Sequence, residues 1–269
     1  MSNTELTNRL ASCKRFQQEA PIQFQTLGQF TLRRDGEKVS TKEWGRDKTI
    51  QLIQYLISYR HKRAMHKEQI MDHLWEEGDD RDFKVALHGV NKVLEPNRPS
   101  RTEPIYVVRQ GVTYQLDLEL VWIDVEAIEE YIKIGNEALT DFPDLAKEAY
   151  KAAIDLYQGA YLPNRIYEDW SSHEREKSRI LILGALVNLA ELLISTNPME
   201  SVRLAQEAIG VDKTWEDAYR IQMAAYLSKG NRPHALKTYQ QCVDVLEAEF
   251  GIGPLPATKA LLKEIENLD

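Results

Sequence analysis

Alternating hydrophobic and polar positions mark the first patterned stretch of the chain, IQFQTLGQFTLRRDGEKV (residues 22–39). Its apolar positions are Ile22, Phe24, Leu27, Phe30 and Leu32. A two-residue period interrupted by Gly28 and by the Asp35-Gly36 turn is typical of short antiparallel strands. The polar residues 1–21 before it predict a lead-in that is either loosely ordered or a short helix.

A period near 3.6 residues follows the strands and predicts three short helices. Two of them are KTIQLIQYLISYR and HKEQIMDHLWEE, each of which has one apolar face. The third is DFKVALHGVNKVLEP (residues 82–96), which Pro96 ends. Its predicted buried stripe consists of Phe83, Ala86, Leu87, Val90, Val93 and Leu94. Three such helices in succession favour a helix-turn-helix.

The stretch IYVVRQGVTYQL (residues 105–116) returns to strand periodicity around Gln110-Gly111. A hairpin that follows the third helix after the polar linker NRPSRTEP is interpreted as the wing of a winged helix.

From residue 124 onward the pattern is helical throughout. Shifting the sequence against itself by 33 residues aligns Ala185 with Ala218 and Val202 with Ala235. This spacing is close to the tetratricopeptide period. The fold class predicted for the chain is therefore mainly α with a small β part: a winged helix-turn-helix followed by an α-helical, tetratricopeptide-like repeat domain.

Charge is unevenly distributed along the 269 residues, whose net charge is −8. Residues 22–125 contain 16 basic and 16 acidic side chains, whereas residues 126–269 contain 15 basic and 24 acidic ones. The first part therefore remains a candidate partner for nucleic acid. The sequence has no apolar run of about 18 residues and no secretory signal, so we expect a cytoplasmic protein without membrane contact.

Ordered motifs resemble two known families. The strands, Trp44 with Arg46 and Lys48, HKEQIMDHLW, the third helix and the Gly111 hairpin are similar to an OmpR-type winged helix over residues 22–120. The series LYQGAYLP, EDW, Arg175, the repeat and EAEFGIGPLPATKALLKEI resembles the bacterial transcriptional activator domain of SARP-type regulators over residues 124–269. Together they imply a transcription regulator.

The OmpR-type resemblance implies that the third helix enters the major groove of DNA. The family pattern has arginines near the end of this helix, where the present chain has Gly89, Val90, Asn91 and Lys92. Asn91 is suited to adenine and Lys92 to phosphate. The DNA-binding candidates on the helix, on the wing and before the first helix are Arg46, Lys48, Arg81, Lys84, His88, Asn91, Lys92 and Arg109.

An alternative is a receptor for a nucleotide second messenger, such as the cyclic dinucleotide c-di-GMP, that controls a partner transcription factor instead of reading DNA. Arginine pairs with phosphates and stacks on guanine. The candidate residues are Arg33, Arg34, Asp35, Arg60, Arg63, Arg98 and Arg101.

No catalytic or metal site is expected, because the sequence lacks a phosphate-binding loop, a His-Glu-x-x-His motif and a nucleophile elbow. We expect a non-enzymatic regulator that requires no cofactor. Its expected partners are DNA and a protein such as RNA polymerase or another transcription factor, and it is expected to form a homodimer.

Overall fold

The structure is a computed structural model that describes residues 2–62, 64–77 and 79–267. Its helices are α1 (Asn3–Glu19), α2 (Asp47–Ser58), α3 (Lys67–Leu74), α4 (Asp80–Leu94), α5 (Asp124–Ala138), α6 (Pro143–Leu156), α7 (Asp169–Leu193), α8 (Pro198–Val211), α9 (Glu216–Ser228), α10 (Arg232–Phe250) and α11 (Pro256–Glu266). Its strands are β1 (Ile22–Gln25), β2 (Thr31–Arg34), β3 (Glu37–Lys38), β4 (Met65–His66), β5 (Val107–Gln110), β6 (Thr113–Leu116) and β7 (Val121–Ile123). The predicted fold class, mainly α with a small β part, is confirmed.

The chain forms two compact units, and each is assembled from separate stretches of sequence. The winged-helix unit consists of Ser12–Ala127 and Gln158–Ser178. The helical unit consists of Met1–Ala11, Ile128–Tyr157 and Arg179–Asp269. The sequence-based division into a winged helix at residues 22–120 and a helical domain at residues 124–269 stays a prediction.

Two small sheets frame the winged-helix unit. In the order β3-β2-β1-β7, β1 is antiparallel to β2 and parallel to β7. The second sheet has the order β4-β6-β5, and its β5–β6 hairpin is the predicted wing. Phe24 and Leu32 face each other across the first sheet and are fully buried, as the alternation of residues 22–39 indicates.

Helix α4 is the predicted third helix. Its N-terminus is fixed by a capping box in which Asp79 Oδ1 accepts hydrogen bonds from the backbone of Arg81 and Asp82, and Asp82 Oδ2 accepts one from the backbone of Asp79. The helix buries Phe83, Ala86, Val90, Val93 and Leu94. Predicted stripe residue Leu87 is only partly buried.

Residues 158–178 complete the winged-helix unit although they follow it in sequence. Tyr161 forms an isolated bridge with Leu27, and the Leu162 amide donates to the Thr26 carbonyl at 2.9 Å. Gly28 is required at this junction: its φ is +79°, and a Cβ there would lie 2.4 Å from the carbonyl oxygen of Gln158. This backbone contact attaches the segment to the end of β1.

Side chains from the same segment cover α2. Arg165 forms an ion pair with Asp47 and donates to Gln54 at 2.9 Å. Glu168 accepts from Gln51 at 2.7 Å, and the Trp170 ring lies 5.8 Å from that of Tyr55. Residues 51–57 of α2 are consequently all buried.

Helical hairpins form the helical unit, where α9 packs against both α8 and α10. Asn197 and Asn231 are the N-caps of α8 and α10 and lie 34 residues apart. The buried positions Ala208 and Cys242 keep the same offset, whereas the fully buried Ala185 and Ala218 keep the offset of 33 seen in the sequence. One extra residue therefore lies between Ala218 and the Asn231 cap, and the tetratricopeptide-like repeat stays a prediction.

The N-terminal lead-in is a 17-residue helix, α1. Its first part belongs to the helical unit and buries Leu6 and Leu10. Arg9 pairs with Glu130 at 2.5 Å and Glu137 at 2.6 Å. In residues 2–62, 64–77 and 79–267, no helix combines the length and hydrophobicity needed to cross a membrane.

Candidate nucleic-acid interface

The open face of α4 carries a row of exposed side chains at spacings of three and four residues. Its members are Arg81, Lys84, Val85, His88 and Lys92. These positions lie on one helical face and span about 16 Å along the axis. Four of the five predicted contact residues on α4 therefore lie where the sequence places them.

Val85 was missed by the sequence analysis, which assigned only polar contacts to this face. Its side chain is 39% exposed among the charged residues of the row. The spacing Arg81–Val85–His88–Lys92 repeats the helical period, so a helical projection would have found it. An exposed valine at this place offers an apolar surface of the kind that contacts the thymine methyl group.

The acidic residues beside the row form ion pairs and hydrogen bonds within the protein. Asp80 pairs with both Lys67 and Lys84, the latter at 2.6 Å. The hydrogen bond from Lys67, followed by that from Lys84, lowers the pKa of the Asp80 carboxyl to about 2. Asp79 and Asp82 form the capping box of α4. Lys84 is thus partly neutralised at the start of the face.

Asn91 does not lie on the outer face of α4, where the sequence analysis placed it. It is only 6% exposed, and its Oδ1 has no hydrogen-bond partner within the part of the chain that the structure describes. The reason is its place on the helix: Asn91 lies one turn from Leu87 and Leu94, at the edge of the apolar stripe and beside residues of the wing.

Gly89 also points away from the outer face. A Cβ at this position would lie 2.8 Å from Thr49 Oγ1 and 2.9 Å from Thr49 Cγ2, so the glycine permits close packing of α4 on α2. Positions 89 and 91, where the family pattern has arginines, are therefore used for packing. The cations of the open face, Arg81, Lys84 and Lys92, therefore lie at other positions of the helix.

The wing and the start of α2 supply the remaining DNA-binding candidates. Arg109 is exposed on β5, donates from Nε to the Gly111 carbonyl at 2.7 Å and lies over the Tyr114 ring. Arg46 is exposed at the N-cap of α2. Lys48 is half-buried, donates to the Leu74 carbonyl and lies over the Trp75 ring at 5.6 Å, so its ammonium group stabilises the end of α3.

Several of the residues proposed for nucleotide recognition form hydrogen bonds or ion pairs within the chain. Arg33 donates to the Gly36 carbonyl at 2.9 Å, and Asp35 forms the turn after β2 with φ of +51°. Arg34 donates to the Val93 carbonyl at 2.5 Å and to Glu43 at 3.1 Å. The Arg34–Val93 contact joins β2 to the end of α4.

Arg60 has a buried structural position. Its side chain has no exposed surface and pairs with Glu126 at 2.6 Å and with Glu174 at 3.0 Å. Arg98 Nη1 lies 3.8 Å from Glu95 Oε1. Arg101 is exposed, and its backbone φ is +70°. Arg63 lies outside the described residues. The nucleotide-receptor hypothesis stays a prediction, although Arg33, Arg34 and Arg60 are held by contacts within the chain.

Comparison with protein families decides the class of the chain. The model of the bacterial transcriptional activator domain matches residues 123–266, which is more than half of the sequence. The chain belongs to this family.

The expected resemblance of this activator-domain protein to SARP-type regulators is thereby confirmed, and its coarse function is that of a transcription regulator. Among solved structures, it is similar to Mycobacterium tuberculosis EmbR in complex with a low-affinity phosphopeptide, with a TM-score of 0.77 and 19% identity. The likeness covers 93% of the present chain and 67% of the EmbR chain, and it concerns the fold alone. No curated protein matches the sequence.

Proposed function

We propose that this regulator controls transcription by binding DNA directly, with α4 in the major groove and the β5–β6 hairpin on the adjoining backbone. The regulator acts in the cytoplasm and carries out no catalysis. The acidic helical unit acts as the docking part, which forms the homodimer and holds a protein partner such as RNA polymerase or another transcription factor.

The exposed row on α4 is the observation that carries this proposal. It combines side chains that hydrogen-bond bases or phosphates with an exposed apolar side chain, at the spacing of one helical face. Arg109 on the wing adds a cation beside it. Each exposed lysine or arginine that reaches a phosphate releases a counterion, so the binding should weaken as salt concentration rises.

The test is a fluorescence anisotropy titration of the full chain with duplexes enriched from a random pool, repeated at several salt concentrations. Lys92→Ala and Arg109→Ala should each weaken binding and reduce the slope of log K against log salt by about one. Lys237→Ala is the matched control, because it removes one exposed lysine from the helical unit. Absence of salt-dependent binding, or binding unchanged in both variants, would contradict the proposal.

A further inference from the structure

A cavity of about 400 Å³ lies between α4 and the β5–β6 hairpin. This volume is within the range of about 300 to 1,000 Å³ that is usual for small-molecule sites. One wall is apolar and includes Phe83, Leu87, Val107 and Tyr114. The space is therefore large enough for a ring compound, and its apolar wall favours one.

Asn91 is one of the residues that line this cavity, and one of its polar atoms is unmatched. The residue is more than nine-tenths buried, and its Oδ1 lacks a hydrogen-bond partner among the described residues. A buried polar group without a partner costs free energy, and such groups in native proteins need an explanation. Rotation of the amide about its Cβ–Cγ bond exchanges oxygen and nitrogen, so Asn91 can accept or donate a ligand hydrogen bond.

Cationic side chains border the same cavity. Lys67, Lys84 and Arg109 line it together with His88, and the carboxylates on its wall are Asp80 and Glu103. Three permanent cations face two carboxylates, and Asp80 is shared between the two lysines. The remaining charge is positive, which favours a ligand with a single negative charge.

We propose that this cavity binds a small aromatic carboxylate that also carries a hydrogen-bonding hydroxyl or amino group. The ring packs on the apolar wall beside Tyr114, the carboxylate faces Arg109 and the lysines, and the polar substituent bonds to Asn91. This binding site does not depend on DNA binding, although the ligand lies between the two elements proposed to contact DNA.

The test uses three probes on the full chain in isothermal titration calorimetry at concentrations up to about 10 mM: 4-hydroxybenzoate, benzoate and 4-hydroxybenzyl alcohol. The first has both the charge and the donor, the second lacks the donor, and the third lacks the charge. We expect saturable binding that is at least fivefold tighter for 4-hydroxybenzoate than for either of the others.

Asn91→Leu removes the polar group and keeps the branched shape and the number of side-chain heavy atoms, and Asn97→Leu is the matched control at an exposed position. The Asn91→Leu variant should bind 4-hydroxybenzoate with no higher affinity than benzoate. The Asn97→Leu variant should keep the affinities of the unmodified chain. Without ligand, Asn91→Leu should unfold at an equal or higher temperature, because it removes an unpaired buried amide.

Three results would overturn the proposal: no saturable heat with 4-hydroxybenzoate, equal affinity of Asn91→Leu and the unmodified chain, or a lower unfolding temperature of ligand-free Asn91→Leu. The last result would mean that the Asn91 amide is already satisfied in the free protein. A DNA titration of the unmodified chain tests the proposed function separately. DNA binding can succeed or fail whether or not the cavity binds 4-hydroxybenzoate.

Discussion

Helices α2 and α4 lie against each other in the winged-helix unit, yet one is covered on nearly every side and the other keeps an open face. Helix α2 buries even Gln51 and Gln54, because residues 158–178 pack over its polar side. Helix α4 leaves Arg81, Val85 and Lys92 exposed. Polar residues on α2 therefore stabilise the fold, whereas those on the open side of α4 are available to a partner.

The largest effect is expected from breaking the buried ion-pair cluster at the end of α2. Arg60→Met leaves the buried Glu174 with only the more distant Lys177, at 3.8 Å, so the free energy of unfolding should fall by about 3–5 kcal/mol. Urea denaturation measures this loss. Arg33→Met, which changes an exposed arginine, should stay within about 0.5 kcal/mol of the unmodified chain.

The double variant Arg60→Met/Glu174→Gln sharpens this prediction. It removes the uncompensated charge and should regain part of the loss. If the single and double variants are equally destabilised, the ion pair is not the cause.

A smaller loss is expected where α4 approaches α2. Gly89→Ala places a methyl group against the buried Thr49, and overpacking should lower the free energy of unfolding by about 1–3 kcal/mol. The better helix propensity of alanine, worth up to about 1 kcal/mol, opposes this loss. Thr49→Ala in the same chain should relieve it.

Gly210→Ala is the control for that measurement, because a Cβ at this helical glycine meets no atom within 4 Å. It should leave stability unchanged or raise it. A stabilising Gly89→Ala would show that α2 and α4 do not pack as closely as described.

Removing an acid from the start of the open face should strengthen DNA binding under the proposed function. Asp80→Asn releases Lys84 for phosphate and deletes a negative charge, so affinity should rise about two- to fivefold and the salt slope should become steeper. Anisotropy titration measures both quantities. Asp144→Asn makes the same charge change on α6 and should have no effect; weaker binding by Asp80→Asn would count against the α4 interface.

The smallest effect is the pH dependence of the same pair. Because the folded pKa of Asp80, about 2, lies below its unfolded value, its pairing stabilises the fold above about pH 4 and is lost as the pH falls towards 2. The difference in urea midpoint between the unmodified chain and Asp80→Asn should be constant above pH 5 and shrink below pH 4. A difference that persists at pH 2 would contradict the assignment.

Much of the winged-helix unit was predictable because its signals are local. The alternation around Phe24 and Leu32, the apolar stripe of α4 and the Gly111 turn each specify their element within a few residues. The use of each position on α4 was less predictable: Val85 was overlooked on an otherwise polar face, and Asn91 is buried on the side of the helix next to the hairpin, which local periodicity does not show.

The sequence by itself determined the family and the main succession of strands, three helices, hairpin and further helices, because periodicity and turn residues act over short distances. Only the tertiary structure decided that residues 158–178 cover α2, that Arg60 is buried between two glutamates and that Asn91 has no partner. These properties depend on pairing between residues tens of positions apart, which local periodicity does not encode.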